Sequence, residues 1–431
     1  MKHYYLESLG CPKNLVDSEI FAGIIENNDY QYTLDPSEAD VIIINTCGFI
    51  LDAKQEAIDT ILALSEYKKT GNCTNLIVTG CLVRRYFNDI KRDIPEIDHL
   101  VDLKDFSSFS DIFPAPYTLK RRQLTPPHYA YLRISDGCNN HCSYCAIPSI
   151  RGKLISEPLD QLVEQAREMA ASGVKELIIT AQDTTQYGYD WDNKSHLIEL
   201  LIELEKIPEL EWIRLLYLHP AHLNDELIDH ICQSNKICHY FEIPLQHAAD
   251  HLLKDMNRKV DQKRVREIIS RIRNKDPQAV IRTTFIVGHP GETEQDYDEL
   301  MDFIEEMRFE RLGVFNYSEE EGTPSADLPD KIDEDTAELR RDQLMAIQME
   351  ISKIAMSKYY KKVIRVIIDE KSEEKEFDYI GRTAYDCPEI DGVVYIYGDA
   401  TPGEFKNVMI IDTWEYDLVG KILSDKEDEN E

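Results

Sequence analysis

Apolar residues recur along this chain at two different periods, and the places where the period changes divide it into three parts. Near the amino end, Tyr4–Leu9, Val41–Ile44 and Asn75–Thr79 are short apolar runs separated by stretches of helical periodicity at Leu15–Glu26 and Leu51–Tyr67. That alternation predicts an α/β sandwich. From about Phe113 to His128 the sequence is rich in proline (Pro114, Pro116, Pro126, Pro127) and carries the basic run Lys120-Arg121-Arg122, the composition of a linker. Beyond it, strand-like segments at Ala130–Ile134, Glu176–Ala181, Trp212–Leu218, Phe241–Leu245, Val280–Val287 and Leu312–Tyr317 alternate with helix-like ones at Leu159–Ala171, Ser195–Glu205, Asn224–Cys232, Gln262–Asn274 and Thr293–Met307. Parallel βα repeats of this kind curl into barrels whose reactive groups sit on the loops after the strands. A long helix is expected over Asp333–Tyr360, with Leu339, Leu344, Ile347, Ile351 and Ile354 at near-helical spacing as its core face. From Lys361 the short strand-like runs Val363–Asp369, Gly381–Ala384, Val393–Ile396 and Val408–Thr413 predict a small β-barrel. The expected fold class is therefore α/β: an N-terminal α/β sandwich over 1–122, a partial (βα)6 barrel with a trailing helix over 123–360, and a small antiparallel β-barrel over 361–431.

Size and charge narrow the possible partners. The chain has 431 residues, 42% of them apolar, enough for two or three domains with sizeable cores. Its formal charge of −33 sets a field that repels phosphates and favours a basic partner. Residues 361–431 alone hold 9 Lys and Arg against 19 Asp and Glu, a balance of −10, with Asp391, Asp399, Glu404 and Asp412 read as part of that acidic surface and Asp425–Glu431 as a solvated tail. The first residues lead into a strand with no apolar leader, and no run of eighteen apolar residues occurs, so the expected location is the cytoplasm. In that reducing compartment ten cysteines read as metal or redox ligands. Six fall into two triads. Cys73, Cys232, Cys238 and Cys387 match no ligand spacing and read as structural thiols.

The first triad lies in Gly137-Cys138-Asn139-Asn140-His141-Cys142-Ser143-Tyr144-Cys145, a loop too polar for a core. Thiolates suit zinc or iron–sulfur clusters. Structural zinc wants four closed N or S ligands, usually two separated pairs, whereas three crowded cysteines with no second pair fit a cluster that keeps one iron open. The second triad, Cys11, Cys47 and Cys81, follows the three N-terminal strands at distances of one to three residues. Open α/β sheets build ligand sites outside the carboxyl ends of their strands, so these thiols are expected to converge. Gln182-Asp183-Thr184, Pro244-Leu245-Gln246-His247 and Gly288-His289-Pro290-Gly291-Glu292-Thr293 also stand at strand ends, on one expected rim. The last is a Gly-Pro turn into a helix whose N-terminus is expected to face an anionic or polar ligand group, while His247 and His289 read as solvated loop histidines.

The spacing Cys138-x3-Cys142-x2-Cys145, with Tyr144 before the last cysteine, resembles the radical S-adenosylmethionine (SAM) enzymes. The resemblance implies a 4Fe-4S cluster held by these three cysteines, with SAM on the fourth iron. Ser8-Leu9-Gly10-Cys11-Pro12-Lys13-Asn14-Leu15-Val16-Asp17-Ser18-Glu19, together with Cys47 and Cys81, resembles the N-terminal domain of the radical SAM methylthiotransferases, and the C-terminal barrel then corresponds to their TRAM-type domain. Within that family Cys11-Pro12-Lys13-Asn14, Gln182-Asp183-Thr184-Thr185-Gln186-Tyr187-Gly188 and Glu320-Glu321-Gly322-Thr323-Pro324 look like the branch that modifies an aspartate of the small-subunit ribosomal protein S-twelve. The tRNA-modifying relatives typically carry Cys-Gln-Met-Asn and Gln-Asn-Val at the first two places. The resemblance implies replacement of an aspartate β-C–H by a methylthio group with two 4Fe-4S clusters and two SAM, Cys11, Cys47 and Cys81 holding the auxiliary cluster. Tyr144, in the cysteine loop, and Gln182, Gly288, Pro290 and Gly291, on the strand-end rim, are expected at SAM, and no catalytic side chain is named. The expected partners are the basic ribosomal protein and an electron donor such as flavodoxin or ferredoxin, with no membrane and no direct tRNA substrate. Two other readings stand beside it: a tRNA adenosine methylthiotransferase, and a non-catalytic iron–sulfur or zinc-binding protein.

Overall fold

The run Val41-Ile42-Ile43-Ile44 is buried at every position, as a central parallel strand covered by helices on both faces must be. In the structure, a computed structural model that describes residues 2–103, 109, 112–114 and 121–423, this run is the middle of a five-stranded sheet. Its strands are, in order, Tyr30–Tyr32, Lys2–Ser8, Val41–Thr46, Asn75–Gly80 and His99–Val101, and all pair in parallel. Alternate residues serve opposite faces. Ile43 and Ile77 pack with Phe21 and Ile25 of helix Pro12–Glu26, while Ile42, Ile44, Leu76 and Val78 pack with Ala57 and Ile61 of helix Leu51–Ser65. The expected helix Leu51–Tyr67 is split, with a separate turn over Tyr67–Thr70.

The sheet belongs to a compact unit made of Met1–Thr125, Asp136–Ile155 and Ser318–Ala326; a second unit comprises Pro126–Ser135, Ser156–Tyr317 and Asp327–Glu431. Of the expected linker, residues 115–120 lie outside the described residues, as does the acidic tail 425–431.

The second unit contains the six expected parallel strands as two triplets, Tyr129–Arg133, Glu176–Thr180 and Trp212–Leu215, then Tyr240–Glu242, Val280–Val287 and Arg311–Asn316. A parallel bridge from Ile213 to Ile237 brings the triplets side by side, which makes the expected partial barrel. Helices Leu159–Ala171, Leu197–Glu205, Asp225–Gln233, Gln262–Lys275 and Glu294–Met307 cover it through leucine and isoleucine stripes.

The long helix runs over Glu334–Ser357, but its inward stripe differs from the expected one. Leu344 is fully buried, and Ile347 and Ile351 pack on the core, yet Leu339 and Ile354 are 58% and 52% exposed. The buried positions between them are polar: Arg340, Gln348 and Ser352. They are accepted inside because each has a partner. Arg340 pairs with Glu292 at 2.7 Å, Gln348 donates to the Phe309 carbonyl at 2.9 Å, and Ser352 donates to the Glu310 carbonyl at 3.2 Å.

At the C-terminal end, Val363–Lys371, Tyr379–Thr383, Val394–Tyr397, Leu418–Ile422 and Phe405–Thr413 close into a barrel in that order. Every pairing is antiparallel except Val394–Tyr397 with Leu418–Ile422, which is parallel, a strand the pattern of apolar runs did not show. Buried ion pairs join this barrel to the amino-terminal side of the βα strands: Glu176 pairs with both Arg214 and Arg382 at 2.7 Å, and Arg382 also holds Asp369 at 2.8 Å. Asp391, expected on the acidic surface, belongs to the same inner layer. Its side chain is fully covered, and it accepts hydrogen bonds from Arg282 and the Tyr240 hydroxyl, each at 2.7 Å. Among the loose cysteines Cys73, Cys238 and Cys387 are buried and Cys232 is half-buried, as structural thiols should be.

Candidate metal centres and cofactor loops

Parallel pairing fixes the first centre. Ser8 lies opposite Asn45 and Thr46 opposite Gly80, so Cys11, Cys47 and Cys81 leave the sheet along one edge, three, one and one residues past their strands. Two glycines let the loops close on each other. Gly10 has φ +91°, and a Cβ there would lie 2.8 Å from Cys47 Cβ and 3.1 Å from its sulfur. Gly80, at φ +108°, turns the chain directly into helix Cys81–Asp93 against the backbone of Thr46.

Asn14 ties the three loops together. Its Nδ2 donates to the Leu9 carbonyl at 2.9 Å and to the Thr46 carbonyl at 3.2 Å, while its Oδ1 accepts from the Cys81 thiol at 3.5 Å. The same Oδ1 accepts from Arg151 Nη2 at 2.7 Å, and Arg151, itself buried, pairs with Asp17 at 2.8 Å. Burial pushes the Cys81 thiol up to about 12; the Arg151 guanidinium opposes this, and the neighbouring Cys11 and Cys47 thiols add to it. Burial also raises Cys47, again with Cys11 beside it. The Asn14 bonds and the approach of Gly10 to Cys47 hold the three cysteine loops at one place. Sequence reasoning found the cysteines but missed Asn14 and Arg151 as the residues that organise them.

The second triad sits in the same unit. Cys138 N–H donates to the Gly152 carbonyl at 3.0 Å, Asn140 N–H points to Cys138 Sγ at 3.4 Å, and Cys145 N–H donates to the Cys142 carbonyl at 3.1 Å, so the loop folds on itself around its thiols. The half-buried Tyr144 stands between Cys145 and Ser143, whose hydroxyl and carbonyl both accept from Ser325, at 2.8 and 2.9 Å. Ser325 lies just past the Glu320–Pro324 motif. Buried Glu320 in turn pairs with Arg85 at 2.6 Å and Lys54 at 2.8 Å, and Arg85 also donates to the Gly48 carbonyl at 2.9 Å, next to Cys47. That motif is thus a strap within the cysteine-bearing unit.

The donor sets discriminate between metals. Among the described residues, the one trio of His, Cys, Asp or Glu with ligand atoms all within 4.8 Å of one another is Asp183, His219 and His222. The cysteine triads each offer three thiolates, the soft donor set that suits an iron–sulfur cluster keeping one iron open.

In the second unit Gln182, Gly288, Pro290 and Gly291 stand past the carboxyl ends of Glu176–Thr180 and Val280–Val287, where the sequence placed them. The Gly288 turn is fixed from beneath: Glu292 accepts from Gly288 N–H at 2.7 Å and from Arg340 at 2.7 Å. The helix that follows, expected to face an anionic or polar ligand group, begins with a capping box. Thr293 Oγ1 accepts from Asp296 N–H at 3.3 Å and Asp296 Oδ2 accepts from Thr293 N–H at 2.8 Å, which satisfies the N-cap and third-residue donors. His247 and His289, expected in solvent, are buried, being 1% and 0% exposed. Their turns enclose them: His247 Nδ1 accepts from Ala249 N–H at 3.0 Å, and His289 Nδ1 meets the Pro290 carbonyl at 2.9 Å.

Family models match in the same order as the folded parts: "Uncharacterized protein family UPF0004" at residues 3–102, the Radical SAM superfamily at 132–304 and the TRAM domain at 362–423. Among solved structures, the radical SAM methyltransferase TsrM from Kitasatospora setae has a TM-score of 0.55 at 13% identity, covering 75% of this chain and 77% of that one. The cobalamin-dependent SAM radical enzyme OxsB has a TM-score of 0.51 at 11% identity, covering 82% of this chain and 56% of that one. These likenesses carry the fold. Among curated sequences, "Ribosomal protein uS12 methylthiotransferase RimO" from Clostridioides difficile (strain 630) is 48% identical over 97% of this chain and 98% of its own length, and the protein of that name from Geotalea uraniireducens (strain Rf4) is 44% identical over 97% and 98%. At that identity over nearly the whole length, with two cysteine triads built into one unit, the chain belongs to the ribosomal protein uS12 methylthiotransferase family of radical SAM enzymes.

Proposed function

We propose that this protein replaces a β-C–H of an aspartate in ribosomal protein uS12 by a methylthio group, using two 4Fe-4S clusters and two molecules of SAM. The observation that carries this reading is the pair of cysteine triads, one in a folded loop and one at three parallel strand ends, in a chain 48% identical to a uS12 methylthiotransferase over 97% of its length. On this reading Cys138, Cys142 and Cys145 hold the cluster that supplies an electron for SAM cleavage, and Cys11, Cys47 and Cys81 hold the one that presents sulfur. Tyr144, Gln182, Gly288, Pro290 and Gly291 lie against SAM. The chain's own share is positional: Asn14 and Arg151 set the auxiliary thiols, Glu292 and Arg340 fix the Gly288 turn, and the barrel rim holds substrate and excludes water.

The division at 1–122, 123–360 and 361–431 is supported by the family-model ranges 3–102, 132–304 and 362–423. Reduction by a flavodoxin or ferredoxin and residence in the cytoplasm fit the same reading. Among the described residues no helix is long and apolar enough to cross a membrane.

The reading is tested by giving anaerobically reconstituted enzyme SAM, a reductant, the ribosomal protein and bulk tRNA in one reaction, then examining both macromolecules by mass spectrometry. A methylthio group on the protein aspartate is expected. The same group on tRNA adenosine, with none on the protein, overturns the assignment in favour of the tRNA-modifying branch.

A further inference from the structure

At the carboxyl end of strand Trp212–Leu215 the chain places a cluster that the cofactor assignments leave unused. One ring nitrogen each of His219 and His222 and one oxygen of Asp183 lie within 4.8 Å of one another, and the two imidazoles stack with centroids 4.9 Å apart. Their hydrogen bonds define their roles. Asp183 Oδ1 accepts from Thr185 N–H at 3.1 Å and its Oδ2 from His222 Nδ1 at 2.8 Å, which orients the His222 ring. Burial works against ionisation of Asp183, but the bond from His222 and the neighbouring His219 hold its carboxyl below the ordinary value. His219 is buried, and its Nδ1 accepts from Ala221 N–H at 3.2 Å, so a neutral ring carries its hydrogen on Nε2. That Nε2 has no hydrogen-bond partner. A buried donor left in this state loses about as much as a hydrogen bond is worth, which marks it as waiting for an acceptor.

The surrounding charge decides which acceptor. Burial lowers the His219 pKa well below its ordinary value, and Arg258 and Lys259 lower it further while Asp183 opposes them. Arg258 is itself buried, 4% exposed, and donates to the Pro244 carbonyl. A neutral ring that presents Nε2–H makes a poor cation site although the ligand atoms are close, and a good site for a single anionic oxygen group. His219 offers Nε2–H, a donor and not a metal ligand.

We propose that His219, with His222 fixed beside it by Asp183, grips the side-chain carboxylate of the substrate aspartate. This rests on the methylthiotransferase reading for the identity of the ligand. Holding the carboxylate fixes which Cβ hydrogen is presented, and a site built to hydrogen-bond a group rejects analogues that lack it. His219 is then a substrate-binding residue that sets specificity for aspartate.

The test uses the full chain with both clusters reconstituted, and two peptides from the modified loop of uS12, one with the target aspartate and one with asparagine in its place. Wild type is expected to bind the aspartate peptide at least about tenfold more tightly, because a charge-assisted hydrogen bond is at stake. In H219F, checked for wild-type iron content, that ratio should fall by about tenfold, and in H219Q, which keeps an N–H donor, most of it should return. Should H219F not fold, the ratio is read in H219A. A wild-type ratio near one, an H219F ratio equal to wild type, or a tenfold loss of SAM affinity with the peptide ratio unmoved each overturns the proposal. If wild type selects the aspartate peptide but transfers no methylthio group to it, the reaction assignment fails and the carboxylate grip stands.

Discussion

Asn14 concentrates the auxiliary centre in one side-chain amide, since it bonds the backbone before Cys11, the backbone before Cys47, the Cys81 thiol and Arg151. Removing a buried partner of this kind costs about 1–3 kcal/mol for each group left unsatisfied. N14A is therefore expected to loosen the three strand-end loops and lose up to half of the bound iron, with the iron of the Cys138 loop retained. Iron and sulfide analysis of folded N14A checks this, and full wild-type iron would count against the role given to Asn14. Glu292 makes a second residue-level prediction. Burial outweighs the Arg340 guanidinium and raises its pKa from 4.5 to about 7. The folded state thus keeps a proton that the unfolded chain has released, and this residue's contribution to stability falls as pH rises from about 4.5 to about 7, then levels off. E292Q cannot ionise, so the difference in Tm between wild type and E292Q should shift against wild type across that window. A difference independent of pH would show that the carboxyl titrates at its ordinary value.

Among the elements, helix Glu334–Ser357 separates what the sequence reveals from what it hides. Its length and boundaries follow from periodicity, but two of its five apolar positions face solvent, while Arg340, Gln348 and Ser352 are inside. A polar residue with a buried partner is indistinguishable in sequence from one in water. L339K should change stability by no more than about 0.5 kcal/mol, whereas Q348A, which strands the Phe309 carbonyl, should cost about 1–3 kcal/mol. Denaturant unfolding of the two variants decides, and a larger loss in L339K would reverse the assignment of faces. The same reasoning explains the rest of the record. The central strands were legible because Val41–Ile44 is apolar at every position, as a doubly covered strand must be. Edge strands Tyr30–Tyr32 and His99–Val101 have three residues each, too few to show a period, and Leu418–Ile422 is interrupted by Gly420 and Lys421. The six cysteines were legible because thiol spacing and strand ends need no side-chain detail. Asn14, Arg151 and His219 were not, because their roles come from hydrogen bonds between residues far apart in the chain.

For the whole molecule the open question is what the charge of −33 does. Exposed acids of the C-terminal barrel, among them Glu373, Glu376, Asp399 and Asp412, set a field that attracts a basic ribosomal protein and repels tRNA. Screening limits that field to about 8 Å at physiological ionic strength, so its effect belongs to encounter and weakens with salt. Changing these four residues to Lys should slow methylthiolation of uS12 at low ionic strength, with the gap to wild type closing as salt is added. Equal rates at low salt would leave the acids a role in solubility alone. Asp391 must be kept out of such a set although it lies in the same sequence region, because its covered carboxylate holds Arg282 and Tyr240 between the barrel and the βα strands. Removing one member of a buried pair leaves an uncompensated charge and costs about 3–5 kcal/mol. D391N should therefore lower thermal stability at every salt concentration, whereas the four-residue reversal should alter rate with little change in Tm. If D391N instead behaves like the surface variants, with a salt-dependent rate and an unchanged Tm, then the barrel is held by its apolar contacts and the ionic layer beneath it is dispensable.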